Sequence, residues 1–188
     1  MILRHAERNN LLVGLPIQDH WELAGYPAKF DSRLIDPLNE KYDVLCHHFR
    51  FNEELIAPKV NDLASYVTIM RNPISNYESI FGFFRDYPFS QWIGHNGTLK
   101  TFLSDPEKYY DESTPWYFRA KNYMAFDLGF NNTDPTPEYT EYAIQKMDKR
   151  FDLVMITDRF EESIVLMREL LCMSEDDVIY LGLLFNLL

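Results

Sequence analysis

Cysteine is scarce in this sequence: there are two, Cys46 and Cys172, in 188 residues. That excludes a disulfide framework and a cysteine-based zinc site, and leaves open one pairing in an oxidising lumen. Basic residues are outnumbered, 18 Lys and Arg against 29 Asp and Glu, for a formal net charge of -11. A nucleic-acid backbone needs clustered cations, so no nucleic-acid partner is expected, although a local basic site is not excluded. No stretch of about 18 apolar residues occurs, so the chain encodes no membrane-spanning helix, and its start lacks the charged and apolar regions of a signal peptide. Glycine is sparse as well, and no Gly-rich or Lys-Ser/Thr phosphate loop is found. His5, His20 and His95 lack ligand spacing, so no metal is expected.

What the chain does have is apolar and aromatic bulk. Hydrophobic residues make up 46% and aromatics 15%, enough for one real core, so residues 1-188 read as a single domain. Three short apolar runs read as buried strands: Tyr42 to Cys46, Tyr66 to Met70 and Asp152 to Thr157. Pro73 opens a helix carrying Tyr77, Ile80, Phe81 and Phe84 at helical spacing. Glu138 to Arg150 and Arg159 to Cys172 read as amphipathic helices, and Ser174 as the N-cap of a short last one. Strands alternating with helices predict an α/β fold, a parallel sheet flanked by helices, with ligands at the carboxyl ends of its strands. The stretch from Pro88 to Pro115 reads as the most loop-like.

The segment from Tyr66 to Ser79 carries the most chemistry. A strand ending in Arg71, a proline starting a helix, and Ser79 eight residues beyond the arginine bring guanidinium and hydroxyl to one helix N-terminus. Arginine supplies a bidentate fork, and the helix end adds backbone N–H donors and partial positive charge, so the pattern suits a phosphate. An arginine in a surface ion pair and a serine that merely packs fit the same spacing. Cys46-His47-His48-Phe49-Arg50-Phe51 follows a predicted strand. Imidazole has an ordinary pKa near 6.5 and suits deprotonation of a hydroxyl, so His47 and His48 are both candidate bases. Arg50 either steadies an oxygen of an anionic ligand or pairs with Glu53 or Glu54. Asp127, Asp158, Lys121 and Asn122 are weaker substrate candidates, and Trp92 and Trp116 fit either sugar stacking or core. Asn96-Gly97-Thr98 and Asn131-Asn132-Thr133 match the N-glycosylation acceptor pattern at Asn96 and Asn131.

Four blocks, in order, resemble the galactose 3-O-sulfotransferases: "VTIMRNPISNYESIFGFF" at 67-84, "FLSDPEKYYD" at 102-111, "KNYMAFDLGF" at 121-130 and "RFDLVMITDRFEESIVLMRELLC" at 150-172. The similarity extends over almost the whole chain and is weakest across 11-40. It implies a P-loop-NTPase-like sulfotransferase fold and sulfuryl transfer from 3′-phosphoadenosine 5′-phosphosulfate (PAPS) to the 3-hydroxyl of galactose, on galactosylceramide-like glycolipids or glycoprotein glycans. It further implies that Arg71 and Ser79 bind the 3′-phosphate, and that His48, which matches the histidine of the family's His-Met-Arg-Phe segment, is the base that deprotonates the sugar hydroxyl, with His47 as alternate. The β-galactoside acceptor is the expected partner, and the parent protein is expected in the Golgi lumen, held by an N-terminal anchor outside this sequence.

Two departures stand out. Asn72 replaces the Asp that the family pattern carries after the arginine. The strand and loop that wrap the 5′-phosphosulfate are not found, and "MILRHAERNNL" resembles the helix that follows them. Losing even one preorganised donor costs about 2.7–4 kcal/mol of transition-state stabilisation, so this chain alone is expected to be inactive or nearly so. A non-catalytic glycan-binding module and a glycosaminoglycan sulfotransferase are the rival readings.

Overall fold

The structure, a computed structural model, describes residues 1-17, 26-35 and 41-180. His20 and the closing apolar run 181-188 lie outside them. Two strands, β1 (Val67–Met70) and β2 (Leu153–Ile156), pair in parallel with Val67 opposite Leu153 and Met70 opposite Ile156. Side-chain clamps fix this register. Asp152 accepts from the Tyr66 N–H at 2.7 Å while its own N–H donates to the Tyr66 carbonyl, which starts the ladder. Thr157 Oγ1 donates to the Met70 carbonyl and closes it at the carboxyl end.

Helices carry most of the described chain. Helix α1 (Ile2–Arg8) precedes β1, as does α2 (Glu53–Ile56), and α3 (Pro73–Phe83) leaves the tip of β1. Short helices α4 (Ser90–Ile93), α5 (Leu99–Ser104), α6 (Pro106–Tyr109) and α7 (Tyr123–Asp127) follow. The long α8 (Pro137–Arg150) leads into β2, and α9 (Phe160–Leu170) and α10 (Glu175–Val178) come after it. Pro73 and Pro137 sit in first turns, where a missing N–H costs nothing. Ser174 caps α10, accepting from the Asp177 N–H as its sequence predicts.

Two expectations need correction. Tyr42 to Cys46 is not a ladder strand: it makes isolated parallel bridges, Val13 with Val44 and Tyr42 with Val60. Its backbone is divided between the Leu12 and Lys59 carbonyls, and the Asp43 carboxylate takes the Leu12 N–H. The region from Pro88 to Pro115 is partly helical, because Thr98 and Asp105 cap α5 and α6. The fold is therefore mixed α/β, a two-stranded parallel sheet among helices.

Three apolar clusters hold it together: one around Phe30, Tyr42 and Ile56, one around Phe81, Phe89 and Phe102, and one around Met155, Ile164 and Met167. The last joins β2 to α9, and the buried Ser163 hydroxyl adds bonds to the backbone N–H and carbonyl of Ile156. Helix α1 is tied to α10 through Asp177, whose buried carboxylate meets His5 Nδ1 at 3.0 Å and Arg8 Nη1 at 2.9 Å.

Candidate functional site

The tip of β1 brings Arg71 and Ser79 to one cavity. Both line a space of about 540 Å³ together with Ser75, Glu78 and Phe84. Arg71 Nε donates to Ser75 Oγ at 3.3 Å, and that hydroxyl in turn donates to the Asn72 carbonyl. Ser75 was not singled out by sequence reasoning. The available signal was its place one helical turn beyond Arg71, which lets its hydroxyl meet the guanidinium.

The helix end contributes less than the sequence suggests. Pro73 has no N–H, the N–H groups of Ile74 and Ser75 donate to Asn72 Oδ1, and that of Asn76 donates to the Asn72 carbonyl. All donors of the first turn are thus engaged by the cap itself, which corrects the expectation of backbone N–H groups offered to a ligand. An anion here meets the Arg71 guanidinium, the Ser75 and Ser79 hydroxyls and the helix dipole, and must stay clear of the Glu78 carboxylate.

Neither histidine of the 47-48 pair lines this cavity. Both are exposed, their ring centroids 6.0 Å apart, and the His48 backbone N–H donates to His47 Nδ1 at 3.0 Å. His47 lines a second cavity, of about 450 Å³, along with Thr68, Met70 and Asp127. This histidine loop is held by the turn after α7. The Phe51 N–H donates to the Asp127 carbonyl at 2.8 Å, and Gly129 lies against the Phe51 carbonyl. Arg50 bonds the carbonyls of Phe126 and Phe130 and stacks on the Phe126 ring at 4.0 Å. Neither expected partner of Arg50 is therefore the one found: Glu53 pairs instead with Arg150.

Beneath the loop, Asp127 Oδ1 accepts from the Tyr26 hydroxyl at 2.7 Å, and the Tyr26 and Tyr123 hydroxyls lie 2.9 Å apart. Burial pushes the Asp127 carboxyl above its ordinary value, and the Tyr26 hydrogen bond and the charges of His48, Arg50 and Arg119 oppose that shift. Burial, then the Asp127 charge, pushes the Tyr26 phenol well up.

Other candidates have structural partners. Trp92 Nε1 donates to Thr114 Oγ1, and its ring packs on Phe89 and Phe102. Trp116 stacks with Tyr26 and lies under the Arg119 guanidinium, 4.1 Å from the ring centroid, so its ring already has partners. Asn122 donates to the Asn132 carbonyl, and Asp158 is exposed at the end of β2. Cys46 and Cys172 are free and exposed. Asn96 and Asn131 are exposed, with Asn131 Oδ1 accepting from the Thr133 hydroxyl of its own tripeptide. Among the described residues no group of His, Cys, Asp and Glu is placed to hold a metal, and no helix is long and apolar enough to cross a membrane.

A parallel strand pair with a helix leaving its carboxyl end defines a mixed α/β protein. Comparison with known proteins carries this further, because the galactose-3-O-sulfotransferase family model matches residues 1–185. The chain belongs to that family. Human galactose-3-O-sulfotransferase 3 is 34% identical over 183 residues, which is 96% of this chain and 42% of that protein. Pig galactose-3-O-sulfotransferase 2 is 35% identical over 188 residues, covering 95% of this chain and 46% of the relative. Mouse galactosylceramide sulfotransferase is 33% identical over 162 residues, 84% and 38% of the two chains. The chain thus spans less than half the length of these relatives. No solved structure matches.

Proposed function

We propose that residues 1-188 form part of one sulfotransferase domain that moves a sulfuryl group from PAPS to the 3-hydroxyl of a β-galactoside. What supports this most is that Arg71 and Ser79, within a chain of this family, line one cavity at the carboxyl end of a parallel strand. In this reading Arg71 and Ser79 hold the 3′-phosphate that distinguishes PAPS from other adenine nucleotides, and Ser75 steadies the guanidinium. His48 takes the proton of the acceptor hydroxyl, whose oxygen bonds to sulfur as the bond from sulfur to the 5′-phosphate oxygen breaks. His47 is the alternative base, favoured by its place in the cavity that also holds Asp127. The chemistry asks for no metal.

The acceptor is a galactose-ended glycolipid or glycan, as the names of the relatives suggest, and the parent protein resides in the Golgi lumen behind an N-terminal anchor. Exposed Asn96 and Asn131 then carry N-linked glycans. The test is a transfer assay with radiolabelled PAPS on the protein at the full length of its relatives, offering a β-galactoside and its 3-deoxy analogue. Label should enter only the first. Label in both refutes the 3-hydroxyl as the acceptor position, and label in neither while glycan binding persists favours the non-catalytic module instead.

A further inference from the structure

A small basic cleft stands apart from the cavities above. The cations of α8, Lys146, Lys149 and Arg150, line a space of about 240 Å³ with Tyr142, Gln145 and Glu53. The five residues from α8 recur at three- and four-residue spacing, so the helix presents them on one face. Glu53, at the start of α2, completes the wall. Three positive charges thus meet one negative in a chain whose formal net charge is -11. The helix dipole favours cations near a carboxyl end, which accounts for their sign. It does not account for their lack of partners.

Among the described residues neither Lys146 nor Lys149 forms an ion pair or donates a hydrogen bond from its ammonium group. Glu53 is already engaged, with its Oε1 3.1 Å from Arg150 Nε. That Nε is buried yet makes no hydrogen bond, and the guanidinium sits over the Tyr66 ring, 3.1 Å from its centroid. Arg150 is therefore held in place with its donors incompletely answered, beside two free ammonium groups.

These groups narrow the occupant. Rotatable ammonium donors around a fixed guanidinium suit a tetrahedral oxyanion, whose oxygens point in several directions, better than a planar carboxylate, which asks for an arginine fork alone. The volume falls below the about 300–1,000 Å³ of a pocket for a drug-sized ligand, so the cleft takes one anionic group rather than a nucleotide. A polyanion is opposed by the negative charge of the whole chain, whereas a single group answers to charges within the screening length of about 8 Å. The Tyr142 ring in the wall is 49% exposed, with Lys146 Nζ 6.0 Å from its centroid. An open aromatic face beside a cation gives the C–H face of a sugar an apolar platform.

We propose that this cleft binds the sulfate or phosphate group of a sugar ester, with Lys146, Lys149 and Arg150 on the oxyanion and Tyr142 against the sugar ring. It shares no residue with the Arg71 cavity and does not depend on the sulfuryl-transfer reading.

The test follows amide chemical shifts of the 188-residue chain titrated with glucose 6-sulfate, glucose 6-phosphate, glucose and inorganic sulfate. Both esters should shift the amides from Lys146 to Arg150 and saturate at about millimolar concentration, and glucose should not. Inorganic sulfate should bind about fivefold more weakly than the sulfated sugar, for want of the Tyr142 contact. Lys146→Ala with Lys149→Ala should weaken both esters about tenfold or more without altering the circular dichroism, because both side chains are exposed and unpaired. Tyr142→Leu should bring the sulfated sugar down to the level of inorganic sulfate. Ester binding that survives the double lysine variant overturns the proposal, as does binding lost in Arg71→Ala alone, which assigns the esters to the Arg71 cavity. Inorganic sulfate as tight as the sugar ester overturns the sugar contact and leaves a site for the free ion, and no ester-induced shift in α8 overturns the site altogether.

Discussion

Gly129 is where a single methyl group should do the most damage for its size. Its φ of +85° lies in the left-handed region, and a Cβ built there falls 2.2 Å from the Phe51 carbonyl oxygen. An L-residue in that conformation costs roughly 1–2 kcal/mol. The clash forces the turn after α7 away from Phe51, and the Phe51 N–H bond to Asp127 goes with it at about 1 kcal/mol more. Gly129→Ala should therefore lose about 2–3 kcal/mol, a large share of the 5–15 kcal/mol typical of a folded domain. Gly82 supplies the control. It lies within α3, and a methyl group added there meets nothing within 4 Å, so Gly82→Ala should gain about 0.5–1 kcal/mol through helix propensity. Urea unfolding reads both, as midpoint shifts of opposite sign at unchanged slope. If Gly129→Ala falls within about 0.5 kcal/mol of the parent, the range of a neutral surface change, the close packing of the histidine loop on this turn is wrong.

Two further predictions concern buried carboxylates of opposite kind. The hydrogen bond from His5, with those of Ser174 and Arg8, holds the Asp177 carboxyl well below its ordinary value, so its stabilisation is present above about pH 4 and fades as pH falls toward the folded midpoint. Asp177→Asn should lower the melting temperature at neutral pH, with the gap to the parent closing in acid; a gap independent of pH contradicts the pairing. Asp127 is shifted upward, chiefly by burial, so the folded state holds its proton more tightly and stability falls as pH rises from about 4 through the raised midpoint. Asp127→Asn should flatten that decline in a melting series, and an unchanged decline counts against it. Tyr26→Phe removes the donor to Asp127 and should cost about 1–3 kcal/mol in urea unfolding.

The sequence carried the shared placement of Arg71 and Ser79 better than it carried the sheet. Arg71, Pro73 and Ser79 were legible because strand end, helix start and helical spacing are local properties, and Ser174 was legible as a cap for the same reason. Tyr42 to Cys46 has strand composition, yet its pairing depends on Leu12 and Lys59, which no local pattern reveals. The helices between Pro88 and Pro115 were hidden by prolines and glycines that in fact lie at their ends and starts, with Thr98 and Asp105 doing the capping. Arg50 misled by proximity: Glu53 and Glu54 are near in sequence, while its carbonyl partners are 76 and 80 residues away. Engagement of the first-turn N–H groups by Asn72 follows from cap geometry, which the motif alone does not specify.

The most direct measurement of the phosphate assignment is calorimetric binding of 3′-phosphoadenosine 5′-phosphate and of adenosine 5′-phosphate to the parent chain and to Arg71→Ala. The parent should prefer the nucleotide with the 3′-phosphate. The variant should lose about tenfold to a hundredfold of that affinity, the worth of a hydrogen bond to a charged group, and bind the other nucleotide as before. Equal loss for both nucleotides, or no loss for either, contradicts the placement of the 3′-phosphate between Arg71 and Ser79.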